Sequence, residues 1–118
     1  GGIMTTKFKS LGRDVYTIDR TVAAAGNSQA TATGLTAVTN VVISATATSA
    51  DGLRLPTDWD VGDRLYVANT TDVALDVFPP TGKKINGGSD NAAIALTANA
   101  MGVFVAIGDD NWAATVDA

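Results

Sequence analysis

The sequence predicts an all-β protein: a β-sandwich, a jelly-roll-like fold or a small barrel of seven to eight short antiparallel strands, with an extended N-terminal arm. Three observations lead to this prediction. All twelve acidic residues are Asp, and Asp favours caps and turns where Glu would favour helices. Thr and Val suit strands and are abundant, whereas the many Ala residues are scattered rather than gathered into helical windows. Turn signals recur about every 8–12 residues, which is typical of sandwiches and barrels.

The length of 118 residues fits one domain, and 46% hydrophobic residues are enough to form a core. Residues 1–13 show no clean periodicity, and we interpret them as the extended arm. Residues 14–118 then form a single all-β domain. We find no tandem repeat at a fixed period, which argues against solenoids and propellers.

The first half of the domain predicts two strands. Residues 15–22 alternate as a strand with Tyr16, Ile18 and Val22 facing inward, and residues 23–36 have the composition of a loop. Residues 38–48 are rich in β-branched side chains and form the second strand. Its two faces carry Val41, Ile43, Ala45 and Ala47 on one side and Val42, Ser44, Thr46 and Thr48 on the other. The small side chains of the second face suit close packing between subunits, and a face that merely tolerates solvent is the alternative.

The middle of the chain predicts a β-hairpin. Residues 64–69 form a strand with Leu65 and Val67 inward, and residues 73–78 return after a short polar link. Pro79-Pro80 ends this hairpin.

Shorter features precede the hairpin. Asp51-Gly52 is a turn signal, residues 53–56 form a short strand that Pro56 stops, and residues 58–63 make an acidic connection.

The last third predicts a second hairpin. Residues 81–91 are rich in Asn and Gly and predict turns, and residues 93–98 and 101–107 are strands. The segment 108–111 has the composition of a tight turn, after which Trp112 begins the last strand.

Composition excludes several kinds of chemistry. The chain has neither Cys nor His, so it lacks thiolate ligands, imidazole ligands and the commonest general base. We therefore expect no enzyme, no cofactor and no metal site. An Asp-based glycosidase needs two carboxylates facing each other across a cleft, and nothing in the spacing of the Asp residues singles out a pair.

The charge pattern bears on partners. The net charge of −4 argues against nucleic acid, and no apolar run is long enough to span a membrane. Residues 1–20 carry four basic side chains against Asp14 and Asp19, a balance of +2 that leaves −6 for the rest of the chain. A basic arm on an acidic body suggests docking on an acidic surface, and a solvated tail is the alternative.

The acidic residues of 58–63 are one candidate site. Asp58, Asp60 and Asp63 could hold Ca²⁺, but Asp63 and Asn69 stand where an EF-hand loop needs Gly and a carboxylate. We expect these Asp side chains to cap local backbone amides instead. Trp59, flanked by Asp58 and Asp60, is a weak candidate for stacking on a ligand or an interface.

We assign no binding or catalytic role to three other features of the sequence. Trp112 is expected to fill the core. Gly82-Lys83-Lys84 lacks the earlier glycine and the following Ser or Thr of a phosphate-binding loop, so it is interpreted as a solubilising tip. Asn69-Thr70-Thr71 matches the N-glycosylation pattern, which three residues match easily by chance.

About half of the chain carries a resemblance to a known family. The segments involved are Leu55-Pro56, 61–69, 77–82, 85–87, 91–96 and Trp112. Their succession resembles a pattern in tailed-bacteriophage structural proteins, and is similar to small head-decoration (cement) proteins and to β-rich modules of phage fibres.

The resemblance implies a homotrimeric virion protein on the capsid surface, made in the host cytoplasm, with the major capsid protein as its partner. We expect the arm, through Lys7, Phe8, Lys9 and Arg13, to contribute to capsid binding. The alternative is a receptor- or glycan-binding module of a fibre or spike, acting through Trp59 and the neighbouring Asp residues.

Overall fold

The computed structural model describes residues 17–45 and 51–117. The predicted arm, residues 1–13, lies outside these ranges, as do Tyr16 and residues 46–48 of the second predicted strand. The described residues form ten strands and no helix: β1 (Ile18–Ala23), β2 (Thr33–Gly34), β3 (Thr39–Ser44), β4 (Gly52–Arg54), β5 (Arg64–Asn69), β6 (Leu75–Phe78), β7 (Lys84–Ile85), β8 (Ile94–Leu96), β9 (Met101–Ala106) and β10 (Asn111–Asp117). The all-β prediction is confirmed.

The chain alternates between two sheets as it advances. One sheet has six strands in the order β1-β3-β5-β9-β10-β7, and the other has four in the order β2-β4-β6-β8. Within each sheet the first three strands pair in parallel: β1 with β3 and β3 with β5 in one, and β2 with β4 and β4 with β6 in the other. Each pair of consecutive strands therefore makes one coil, and the coils stack as in a solenoid. The prediction of an antiparallel sandwich, jelly roll or barrel is wrong.

Unequal coils explain why the sequence shows no period. In the six-stranded sheet the paired positions advance by 21 residues, from Ile18 to Thr39, and then by 27, from Thr39 to Tyr66. Most of this difference lies in one corner. The chain passes from β2 to β3 through residues 35–38, but from β4 to β5 through residues 55–63. The prediction that the chain is not a solenoid is wrong, because the coils repeat in space without a constant number of residues per coil.

After β6 the chain turns back along the last coil. β8 pairs antiparallel with β6, and β9 pairs antiparallel with β5. β9 and β10 form the hairpin that the Gly108–Asn111 turn predicts, with Trp112 opposite Ala106. β7 adds to the outer edge of β10 in parallel. The C-terminal segment thus covers the third coil on both sheets.

The core lies between the two sheets and consists mainly of Leu and Val. Leu65 and Val67 are fully buried, as predicted, and Leu53, Leu75 and Leu96 meet them from the other sheet. Phe104, also fully buried, is the largest of these side chains. Its ring has room because Gly102 precedes it, and a Cβ there would lie 2.8 Å from Phe104 Cε1. Trp112 is 4% exposed, which confirms it as a core residue.

Two predictions about strand faces are wrong. Ile18 does not face inward, because it is 56% exposed while Val22 is buried in the same strand. A register irregularity between Asp19 and Val22 breaks the simple alternation. Of the predicted subunit-packing face, the structure describes Val42 and Ser44. Val42 is fully buried in the protein's own core, so it cannot contact another subunit.

The predicted hairpin of residues 64–78 is also wrong, because β5 and β6 lie in different sheets. Asn69, only 2% exposed, makes the corner between them. Its Nδ2 donates to the carbonyl oxygens of Val73 (2.9 Å), Leu96 (3.3 Å) and Thr97 (3.1 Å). Its Oδ1 accepts from Thr71 N (3.0 Å) and Oγ1 (2.7 Å). A buried side chain with these partners is not accessible for glycosylation in the folded protein.

Asp51-Gly52 is not a turn either. Gly52 begins β4 and is buried. A Cβ at this position would lie 3.0 Å from Ala32 Cβ, Gly26 O and Phe78 Cε2. The glycine is needed for close packing between elements, a role that the dipeptide does not reveal. The loop predicted at 23–36 likewise contains a short strand, β2.

Candidate functional site

A cleft of about 280 Å³ opens where three segments meet at one end of the strands. The first segment is the long corner between β4 and β5, the second is the loop after β6, and the third is the β9–β10 turn. Its walls include Trp59, Asp60, Lys83, Asp109 and Trp112.

Local hydrogen bonds shape the long corner. Asp63 Oδ2 accepts from Asp60 N at 2.8 Å, and Asp63 N donates to Asp60 O at 3.0 Å. Gly62 between them has a φ of +98°, which favours glycine. Gly62 N donates to Ala106 O at 2.7 Å and so ties the corner to the end of β9. The prediction that an Asp of this segment caps local amides is confirmed for Asp63.

Trp59 lies on the inner side of this corner. It is half-buried and packs against the core, with its ring centroid 6.3 Å from that of Trp112 and an angle of 43° between the planes. Trp112 is almost fully covered, so Trp59 is the more accessible of the two indoles. The structure therefore places Trp59 in the cleft, at the position where a ligand could contact its ring.

Of the two Asp residues beside Trp59, only one lines the cleft. Asp60 is part of the wall, while Asp58 is exposed and is not among the lining residues. Within the described residues, no group of three or more carboxylates is placed to hold a metal ion.

The two lysines of the predicted solubilising tip have different roles. Lys84 lies in β7 and forms an ion pair with Asp90. The hydrogen bond that Lys84 donates to Asp90, together with the negative charge of Asp90, raises the pKa of Lys84 above the ordinary value of 10.5. Lys83 instead lines the cleft. The interpretation as a solubilising tip therefore overlooked the ion pair of Lys84 and the position of Lys83 in the cleft wall.

Sequence reasoning also missed Asp109 as a wall residue. It stands in the turn that the sequence predicts, but 50 residues separate positions 59 and 109, and no local pattern links them. The link is β9, which pairs with β5 and brings its terminal turn beside the corner that precedes β5. Knowledge of that pairing is needed to find the cleft.

A second candidate surface is the outer side of the six-stranded sheet. We call it the outer face and define it by Ile18 of β1 and by the outward residues of β3, β5, β9 and β10; Arg20, which is also exposed in β1, adds a positive charge at its edge. The residues of the outer face are Ile18, Thr39, Val41, Ile43, Arg64, Tyr66, Ala68, Met101, Val103, Val105, Asn111, Ala113, Thr115 and Asp117. All are half-buried or exposed. Val103 and Val105 share one side of β9, as predicted. Lys7, Phe8, Lys9 and Arg13, the proposed capsid-binding residues, lie outside the described ranges.

The described part of the chain contains no helix that could cross a membrane. Comparison with protein-family models finds no match. Comparison with curated proteins also finds no significant match.

Proposed function

We propose that this protein is a virion structural protein that binds the outer surface of a phage capsid as a decoration protein and stabilises the assembled shell. The observation that carries the proposal is the outer face, an exposed and largely apolar sheet surface. The resemblance to cement proteins supplies the identity of the partner, the major capsid protein.

The composition of the outer face is that of a contact surface. On β3, β5, β9 and β10 its outward positions are uncharged apart from Arg64 and Asp117, which stand at strand ends. Most of these positions are apolar, and the polar ones are Thr39, Tyr66, Asn111 and Thr115. Ile18 and Ile43 are more than half exposed. Five strands about 4.8 Å apart and six residues long span roughly 400 Å². This footprint includes the polar positions as well as the apolar ones; exposed apolar patches of about 300–600 Å² on monomers are often functional.

A homotrimer would bury this face. Three copies whose outer faces turn toward a common axis would shield Ala68, Val103 and their neighbours from water. Small side chains such as Ala68 allow the sheets to approach one another closely. The homotrimer that the resemblance implies is therefore compatible with burial of the outer face.

The mechanism follows from mass action. A protein that binds the assembled lattice and not its loose subunits shifts the equilibrium toward the lattice. Three linked copies add avidity, because the second and third contacts form at high effective concentration. We assign capsid contact to the arm residues Lys7, Phe8, Lys9 and Arg13, whose charge contrasts with the acidic body.

The experiment is co-sedimentation with expanded heads that lack the protein, together with a light-scattering mass in solution. Wild-type protein is expected to pellet saturably with heads, from a species of about three chains. Ala68→Asp, on the central strand of the outer face, should produce monomers and weaken pelleting about tenfold or more. Ala95→Asp is the matched control, because Ala95 is an exposed alanine on the four-stranded sheet.

Deletion of residues 1–13 tests the arm separately and should weaken pelleting without changing the number of chains in the species in solution. If wild-type protein does not pellet with heads, the decoration function is wrong. If Ala68→Asp retains both the mass and the pelleting of the wild type, the outer face is not the assembly surface.

The second candidate is a receptor- or glycan-binding module of a fibre or spike. The position of Trp59 in the cleft, beside Asp60, supports it. Pelleting with host cells and not with heads would favour this function over decoration.

A further inference from the structure

We propose that the cleft is a binding site for a single neutral sugar ring, stacked on Trp59 and hydrogen-bonded by Asp60, Lys83 and Asp109. This inference does not depend on the decoration function; it deepens the second candidate, glycan binding, by naming the ligand and the residues that bind it. No outward residue of the outer face lines the cleft, so assembly through that face and ligand binding can occur independently.

The size of the cleft limits the ligand. Its volume of about 280 Å³ lies just below the range of roughly 300–1,000 Å³ that accommodates drug-sized molecules. A single six-membered ring with its hydroxyl groups is the kind of ligand that fits. A longer saccharide would project from the open side.

The half-buried ring of Trp59 provides an aromatic wall. Trp112 is buried beneath and packs at 6.3 Å against Trp59, which restricts the movement of the Trp59 ring. Contact with an immobilised aromatic ring costs little additional entropy. The C–H groups on one side of a sugar ring are apolar and match an indole surface in shape and polarity.

The charged wall residues suit a polyhydroxyl ligand and disfavour an anion. Two carboxylates, Asp60 and Asp109, would repel an anion, and the Lys83 ammonium offsets part of their attraction for a cation. Hydroxyl groups can donate to the carboxylates and accept from the ammonium in the same complex. Within the described part of the chain none of these three side chains has an ion-pair partner, so their charged groups remain available to a ligand.

The test is NMR titration of the full-length protein with methyl α-glucoside, methyl β-galactoside and N-acetylglucosamine, following the indole N–H signals of Trp59 and Trp112. At least one sugar should shift the Trp59 signal with a Kd of about 1–10 mM, as is reasonable for one ring with few contacts. Asp109→Asn and Lys83→Gln should each weaken binding about fivefold or more. Asp110→Asn is the matched control for Asp109→Asn, because Asp110 is exposed in the same turn but does not line the cleft; it should change the Kd less than twofold.

Three results would overturn the proposal. One is the absence of any shift at Trp59 up to 50 mM of each sugar. Another is an equal Kd for Asp109→Asn and Asp110→Asn. The third is a shift caused by tetramethylammonium or by phosphate but by no sugar, which would make the cleft an ion site. All three leave the outcome of the head-binding experiment unaffected.

Discussion

The stacked coils of β1–β6 and the C-terminal segment of β7–β10 contain turns of similar composition, but these turns lead to different strand pairings. The turn at Gly108–Asn111 joins two strands that pair with each other. The turn after Asn69 has an equally polar composition, yet it joins strands of different sheets. The difference lies in Asn69, whose buried side chain binds carbonyl groups of both regions. Local turn composition therefore predicts a change of direction, and tertiary hydrogen bonds decide which strands pair.

The largest effect is expected from removing the aromatic side chain that the C-terminal segment contributes to the core. Phe104→Ala should lower the free energy of unfolding by about 3–5 kcal/mol, since it leaves a cavity between the sheets. Leu53→Ala, in the coils, should cost about 2–5 kcal/mol. Urea unfolding followed by tryptophan fluorescence and by far-UV circular dichroism measures both variants.

If the two regions form one cooperative unit, the two probes give coincident curves for each variant. Separate transitions in Phe104→Ala would mean that the coils fold without the C-terminal segment.

The next largest effect concerns the residue that connects the regions. Asn69→Ala removes hydrogen bonds to Leu96 and Thr97 in the C-terminal segment and to Val73 in the corner. Because these groups become unsatisfied in a buried position, we expect a loss of about 2–3 kcal/mol. Asn27→Ala, at an exposed position, should change stability by less than about 0.5 kcal/mol. Thermal unfolding of both variants makes the comparison, and equal melting temperatures would show that Asn69 does not hold the regions together.

A smaller loss of stability is expected from alanine substitution at two glycines with similar backbone angles. Gly26 in the coils has a φ of +78°, and Gly87 in the C-terminal segment has a φ of +70°. A Cβ on Gly26 would lie 2.2 Å from Thr31 O, whereas a Cβ on Gly87 would have no neighbour within 4 Å. Gly26→Ala should therefore cost about 2 kcal/mol or more, and Gly87→Ala about 1 kcal/mol from backbone conformation alone. Chemical denaturation should rank them in this order, and the reverse order would contradict the packing argument.

The smallest effect is expected at the Lys84–Asp90 ion pair on the surface of the C-terminal segment. Lys84→Gln should leave the melting temperature at pH 7 almost unchanged, because exposed ion pairs contribute little. Asp90 raises the pKa of Lys84 in the folded protein, so the contribution of the pair is fully present below pH 10.5 and is lost as the pH rises through the raised value. Melting curves from pH 7 to pH 12 should show the difference between wild type and variant shrinking only at the alkaline end. A difference that changes near neutral pH would contradict this assignment.

Much of the strand content could be predicted from the sequence, because alternation is a local property. β5 follows the predicted range, with Leu65 and Val67 inward, and the β9–β10 hairpin follows its turn signal. Parallel pairing between coils could not be predicted, because it joins positions more than 20 residues apart through corners of different length. The turn predicted at Gly52 was wrong for a similar reason. This glycine allows close packing against Ala32 and Phe78, which are distant from it in the sequence.

The candidate site was predictable only in part. Trp59 and Asp60 stood out because an aromatic side chain between two Asp residues is unusual in a connecting segment. Lys83 and Asp109 did not stand out, because each lies in a polar turn of ordinary composition. Their proximity to Trp59 depends on the antiparallel pairing of β9 with β5, which only the tertiary structure provides.

The unequal corners imply a way in which this architecture could change over evolution or by engineering. Strand register is held by sheet pairing, so the corner between β4 and β5 could lengthen to residues 55–63 while its counterpart one coil earlier spans only residues 35–38. Trp59 and Asp60 both lie in the added length. Replacing this corner with a short one that keeps Leu55 in the core should abolish the cleft and preserve the stack. The cleft and the stack are thereby separable, so that the residues of the cleft can diversify without a change in strand pairing.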